Sequence, residues 1–329
     1  MTSTDNYYIG KGSFGCVYND IVKCVPPQHL NSNRKYISKL VNYDAFLLEY
    51  ENLKIAKQLD PKGNFHSLLF GVCTELENIK DLEYCDSINY SDSVAVLYLE
   101  YVGIPISKFI KNNVKDFTEV YFDIFEKLAG IINFIVILSK NNFIHYDISI
   151  NNVLIDSDLK LIRLIDFGTM ISFQNIENTS VKSIKYPFRP PDIILSKTPF
   201  PSKVVYNKFI QDYVSDCKQY SFTSNLFSSS ILSLSNNKHV ETLYSLYDKY
   251  SKLSHEDRQK IICPKIDVYS FGITCLNILE QLKEKRIRLH SEFKTWIYQI
   301  VSYCTIADPE DRTSPENLFQ IYLQALNIT

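Results

Sequence analysis

"FIHYDISINNVLI", residues 143–155, places His145, Asp147 two positions on and Asn152 five beyond that between two apolar runs. By itself it is a polar turn joining a helix to a strand, since Asp and Asn are common turn formers. The same residues also suit a working edge. Asp147 can take the proton of an incoming hydroxyl, and Asn152 can offer a neutral oxygen to Mg2+. Just downstream, "LKLIRLIDFG" (159–168) reads as a strand ending in an Asp-Phe-Gly turn, where Asp166 adds the anionic ligand a hard cation prefers.

Working towards the N-terminus, "VYFDIFEKLAGIINFIVILSK" (120–140) has the period and length of a buried helix. Before it, strand-like runs dominate: "NYYI", "CVYNDIVKCV", "KYISKLV" (35–41), "FHSLLFGVC" (65–73) and "SVAVLYLEYV" (93–102). A loop is expected at 26–34. One helix interrupts the strands, "DAFLLEYENLKIAKQL" (44–59), with Asp44 as its expected N-cap and Pro61 just past its end. Three of the nine glycines fall in "GKGSFG" (10–15), between strand-like runs, where backbone can approach a ligand closely. Its Gly-x-Gly-x-x-Gly pattern is not that of a dinucleotide fold, because the segment after Gly15 is strand-like. A hairpin folded over phosphates fits better.

Such a hairpin needs a cation nearby. Lys39 on the second strand run is the choice; Lys23 lies too near Gly15 for the chain to turn and return. A Lys facing a cleft calls for a carboxylate partner. Glu49 shares a helix face with Phe46, Leu53 and Ala56, whereas Glu51 points away, so Glu49 is expected to pair with Lys39.

Beyond residue 200 the pattern is mainly helical, including "DVYSFGITCLNILEQL" (267–282), "EFKTWIYQIVSYC" (292–304) and "TSPENLFQIYLQAL" (313–326). In the last, Thr313 and Glu316 match a capping box. The expected fold is therefore α+β and bilobal, with a small β-rich lobe carrying one main helix and a larger helical lobe, the polar motifs clustering at the seam.

The 329 residues are 45% hydrophobic and 22% charged, with a formal net charge of −2, which fits a folded domain and gives no reason to expect nucleic acid. No signal-like N-terminus is expected to operate, and the longest apolar run, 128–138, is about half a bilayer span, so no membrane span is expected. The eight cysteines show no CxxC pair; reduced thiols in a cytosol-like compartment are expected. Heavy use of Asn, Ile, Lys, Ser and Tyr suggests an AT-biased coding sequence.

With these residues in line, the chain resembles the eukaryotic-type protein kinases, of serine/threonine-kinase-like type, over nearly its whole length. "GKGSFGCV" resembles the phosphate-covering loop, Lys39 the nucleotide lysine, Glu49 its helix partner, "HYDISINN" the catalytic loop and "DFG" (166–168) the metal-binding turn. "FRPPDIIL" (188–195) resembles the close of the activation segment, "DVYSFG" (267–272) the buried anchoring helix, and Arg312 the partner of the segment-closing acid, here Asp192. The resemblance implies ATP and Mg2+ as cofactors, Asp147, Lys39, Asn152 and Asp166 as catalytic residues, and Asn152 and Asp166 as metal ligands. Around the nucleotide it places Ile9, Gly10, Lys11, Gly12, Ser13, Phe14, Gly15 and Val17 from the loop. Ile37, Lys39, Glu49 and Leu154 join them, with the Glu100 carbonyl and Val102 N–H of the hinge "LEYVG" (99–103) on the adenine edge. Leu99 would guard the back pocket, and Leu53 would stack against the Phe167 and His145 positions. One kinase domain over 1–329 follows, with an N-lobe to about 101, a hinge at about 99–104 and a C-lobe beyond, leaving no separate regulatory domain.

Three departures stand out. Tyr146 replaces the Arg that in regulated members grips a phosphorylated activation segment, so activity is expected not to require phosphate on Thr179, Ser180 or Ser183. Ser149 replaces a Lys at the γ-phosphate, so turnover is expected to be slow. Asp192 and Asp267 are 75 positions apart, giving an insertion at about 196–265 with two amphipathic helical patterns and a Ser-rich linker (222–235), either packed on the large lobe or docking a partner. The insertion, the long first hairpin and the composition resemble kinases of large DNA viruses, which would place the protein in host cytoplasm or virion. The expected activity is transfer of the γ-phosphate of ATP to Ser or Thr of a protein substrate. A pseudokinase scaffold working through the insertion, or a small-molecule kinase, are the alternatives.

Overall fold

The computed structural model describes residues 8–12, 15–19, 22–25, 35–76, 85, 88, 93–112, 118–156, 160–179, 188–219 and 236–326. The architecture is α+β, with an antiparallel sheet at the N-terminal end and a mainly helical C-terminal part. Two compact units divide the chain: residues 1–103 together with 165–169, and residues 104–164 together with 170–329.

In the first unit β1 (Tyr8–Gly12), β2 (Gly15–Tyr18), β3 (Tyr36–Asn42), β4 (Leu69–Cys73) and β5 (Val94–Glu100) form one antiparallel sheet, in the order β1-β2-β3-β5-β4. The sequence VAVLYLE suits a strand covered on both faces, and β5 is buried from Val94 to Leu99 between β3 and β4. Helix α1 (Tyr43–Leu59) packs on this sheet through Phe46, Glu49, Asn52, Leu53 and Ala56, one face at helical spacing. The expected Asp44 cap is displaced: Asn42 occupies the N-cap without a side-chain bond, and Asp44 lies in the first turn, where its charge still meets the positive helix end. The expected loop at 26–34 lies outside the described residues.

The expectation of reduced cysteines fails in this unit. Cys16 is bonded to Cys85 and Cys24 to Cys73, both inside a buried cluster with Tyr18, Leu40, Val96 and Tyr98. Sequence separations of 69 and 49 residues hide these pairs from a search for short spacings; the sheet brings them together. Cys217, Cys263, Cys275 and Cys304 are buried free thiols. Closing loops of this length stabilises a fold by about 2–4 kcal/mol. Urea unfolding with and without a dithiol reductant is therefore expected to show a loss of that size, and identical midpoints would mean that the four cysteines are thiols in solution.

In the second unit β6 (Ile104–Pro105), β8 (Val153–Ile155) and β9 (Ile162–Leu164) form one small antiparallel sheet, and β7 (Phe143–Ile144) pairs with β10 (Ile171–Ser172). The strand expected over 159–168 keeps only Ile162–Leu164; Phe167–Thr169 is a 3-10 turn belonging to the first unit. Helices α2 (Ile106–Asn112) and α3 (Thr118–Lys140) follow β6. The helix Ile266–Glu284 is buried at every residue from Ile266 to Leu279. Its Gly272 is required by packing, because a Cβ there would stand 2.4 Å from Cys304 of the helix Ser291–Cys304. The last helix, Pro315–Leu326, starts one residue later than the capping box predicts: Ser314, not Thr313, accepts from the Asn317 N–H at 3.2 Å. Either hydroxyl suits a cap, and Pro315 at the first helical position selects Ser314.

Among the described residues the insertion carries the helices Lys203–Lys218, Asn236–Tyr250 and His255–Ile262. Tyr206, Ile210, Tyr213, Leu243, Leu246 and Tyr250 bury their apolar faces. The Ser-rich linker lies outside the described residues. The continuous helical stretch His255–Glu284 is long and apolar enough to cross a membrane by length and composition alone, although 83% of its apolar window is buried within the fold.

Candidate functional site

In the first unit β3 carries Lys39 opposite Val17 of β2. Its ammonium donates to both oxygens of Glu49, at 2.6 and 2.7 Å, and to Asp166 Oδ1 at 3.0 Å. Burial works to lower the Lys39 ammonium's pKa, but the two carboxylates outweigh it and hold it above its ordinary value. Glu51 instead pairs with Lys54 at the surface, and Lys23 is exposed.

Asp166 stands at φ 66°, a left-handed conformation that costs a non-glycine residue about 1 kcal/mol. Neighbours hold it there. The Asn52 side chain donates to the Phe167 carbonyl at 2.8 Å, and the Phe167 ring meets His66 edge-on with centroids 5.7 Å apart. The His66 ring nitrogens stand 2.8 and 3.2 Å from the Ser67 and Asp60 carbonyls, and the N–H of the ring donates to one of them. Sequence reasoning did not identify Asn52 or His66. The signal for Asn52 was present, an amide three residues after Glu49 on a face otherwise apolar.

The glycines of the hairpin divide into two kinds. A Cβ on Gly15 would lie 1.9 Å from the Leu40 carbonyl, so the close approach of β3 requires that glycine. Nothing lies within 4 Å of a Cβ on Gly10 or Gly12, so packing does not require either. Their bare backbone leaves open space of the kind a phosphate would fill. Ile9 and Lys11 are exposed on β1, while Ser13 and Phe14 lie outside the described residues. Ile37 pairs with the buried Leu99 across β3 and β5. The Glu100 carbonyl, expected to meet adenine, accepts the Ser67 hydroxyl at 3.0 Å. Among the described residues no hydrogen bond reaches the Val102 N–H.

In the second unit the stretch 143–155 is held from beneath. Asp267, on the buried helix, accepts the His145 N–H at 2.7 Å and the Tyr146 N–H at 3.0 Å. Burial pushes its carboxyl up to about 6 against the pull of those two donors. Tyr146 sits at φ 71°, with its carbonyl accepting from Arg189 Nε at 2.8 Å and its ring 4.1 Å beneath the Arg189 guanidinium. The aromatic that replaces the expected Arg is thus a platform for a cation from the closing stretch. Ser149 is buried, and its carbonyl accepts the Asn152 and Val153 N–H groups. Leu154 is buried on β8.

The Asn152 amide nitrogen donates to the Asp147 carbonyl at 2.8 Å and to Asp147 Oδ2 at 2.7 Å. Both of its protons are thereby occupied, and its oxygen remains an acceptor oriented by Asp147. A neutral oxygen fixed in this way is a hard donor of the kind Mg2+ accepts. Among the described residues no three or more His, Cys, Asp or Glu are grouped so that they could hold a metal ion by themselves. Asp192 and Arg312 form a fully buried pair at 2.7 Å, with the Arg312 Nε on the Ile306 carbonyl and its guanidinium 5.1 Å over Tyr269.

No protein-family model matches the chain, and no curated protein matches its sequence.

Proposed function

We propose that the protein is an ATP- and Mg2+-dependent protein kinase of the eukaryotic-type bilobal fold, phosphorylating Ser or Thr of a protein substrate. The observation that carries the proposal is the Lys39 ammonium bonded at once to Glu49, ten residues away, and to Asp166, 127 residues away. An ordinary surface ion pair needs neither its burial nor the left-handed Asp166 that completes it.

In this reading Lys39 and Asp166 serve MgATP, and Asp147 and Asn152 serve the transfer step. Glu49 keeps Lys39 charged and aimed so that its ammonium can draw the α- and β-phosphates. Mg2+ on Asp166 and Asn152 would neutralise charge on the phosphates. Asp147, its Oδ2 held by the Asn152 amide, accepts the proton of the substrate hydroxyl. The substrate's hydroxyl oxygen, so deprotonated, bonds to the γ-phosphorus while the bond from that phosphorus to the ADP oxygen breaks. Catalysis is then positioning plus electrostatic stabilisation, and without a cation at Ser149 turnover is expected to be slow.

The test is transfer from γ-labelled ATP with Mg2+ to a mixed protein acceptor, followed by phosphoamino-acid analysis. Label on Ser or Thr is expected. No label from protein that nucleotide nonetheless stabilises against heat would overturn the activity and favour a scaffold.

A further inference from the structure

The stretch just after the Asp-Phe-Gly turn is tied down by a buried cation that the sequence did not announce. Lys197 follows the buried 3-10 turn Pro191–Ser196 and is only 8% exposed. Its ammonium donates to the carbonyls of Ile176 at 2.9 Å, Glu177 at 3.2 Å and Thr179, and to the Thr179 hydroxyl. These oxygens lie at the C-terminal end of the 3-10 turn Phe173–Asn178, where the Ile176 carbonyl also accepts the Thr179 N–H and hydroxyl and the carbonyls carry the negative end of the turn's dipole. An ammonium is expensive to bury unless such acceptors surround it. It also starts from a fixed base, because Asp192 in the preceding turn is locked to Arg312.

The insertion reaches the same stretch. Gln259, on helix His255–Ile262, donates to the Phe173 carbonyl at 3.0 Å, and His255 Nε2 stands 3.4 Å from Glu177. Thr198, next to Lys197, is 3.0 Å from the other nitrogen of that imidazole. On the remaining side, the Phe173 N–H donates to the Asn142 carbonyl at 2.8 Å, immediately before β7. Residues 171–179 are thus anchored by strand pairing, by helix 255–262 and by Lys197, with no phosphate group required.

We infer that Lys197 is a positioning residue for phosphoryl transfer, its ammonium holding residues 173–179 in their working shape while helix 255–262 braces them. The inference rests on the kinase reading, for which this segment continues from the metal-binding Asp166. It gives the insertion an internal task. It also accounts for the absence of a phosphate-receiving Arg at Tyr146, because the cation is already built into the closing stretch.

Burial pushes the Lys197 ammonium down to about 8, with Glu177, which also faces His255, opposing that shift. The clamp is accordingly charged below about pH 8 and weakens above it, whereas an arginine would stay charged throughout. The experiment compares wild type, Lys197→Met and Lys197→Arg by kcat and KM for a protein acceptor, ATP affinity, a pH profile and hydrogen exchange over 171–179. Expected are a kcat at least tenfold lower in Lys197→Met with ATP affinity changed less than threefold, and faster exchange confined to 171–179. Lys197→Arg should recover a third or more of the activity and lose the wild-type fall above pH 8. Unchanged kcat in Lys197→Met, or an alkaline fall that persists in Lys197→Arg, overturns the inference alone. Absence of transfer by wild type overturns the kinase reading and the positioning role with it. If Lys197→Met fails to fold, the pH profiles of wild type and Lys197→Arg decide.

Discussion

Asp147→Asn is expected to lower phosphoryl transfer by about 100- to 10,000-fold, the range a positioned general base contributes. The substitution keeps the shape of the side chain and removes its ability to take a proton. It also spares the framework, since an asparagine oxygen can still accept the Asn152 amide that now donates to Asp147 Oδ2 at 2.7 Å. ATP affinity and melting temperature should therefore stay close to wild type. Lys39→Met would be a poorer probe: it leaves Glu49 buried without its cation, so a loss of fold would be indistinguishable from a loss of chemistry. Full activity in Asp147→Asn would remove the proposed base. A destabilised protein would instead reveal a structural role for the carboxylate.

The second large effect concerns stability. Arg312→Ala is expected to cost about 3–5 kcal/mol, because it strands Asp192 as an unpaired charge in a site with no solvent exposure. The guanidinium also satisfies the Ile306 and Lys265 carbonyls and stacks on Tyr269, so its loss removes several partners at once. Combining Arg312→Met with Asp192→Asn should cost clearly less than the sum of the two single changes, since no net charge is then left buried. Urea unfolding of the four proteins measures this directly. Additive costs would mean that the two side chains are not coupled.

What the sequence made legible was local. The apolar face of α1 separates buried Glu49 from surface Glu51, and the unbroken apolar run of β5 marks a central strand. The order of the polar motifs suggested which residues to bring together, and Lys39, Glu49 and Asp166 do meet. What stayed hidden depends on distance along the chain or on competition between near equals. The cysteine pairs bridge dozens of residues, and Lys197 reaches back about twenty to find carbonyls whose role no side-chain pattern encodes. His66 looks like any loop histidine until Phe167 arrives beside it. Thr313 and Ser314 are adjacent hydroxyls of similar capping strength, and only the backbone decides between them.

Residues 165–169 belong with the first unit although they follow its other residues by some sixty positions. At about 5–20 residues per second of synthesis, a ribosome needs roughly 3–13 s to travel from residue 103 to residue 169. Throughout that interval Lys39 and Glu49 have been made without Asp166, and Asn52 and His66 without Phe167. All four cysteines of the two cross-links, by contrast, have already been made. Translation therefore presents the parts that brace this unit before the parts that complete its charge cluster. An early fragment ending at residue 103 would contain every strand of the sheet and still lack the aspartate.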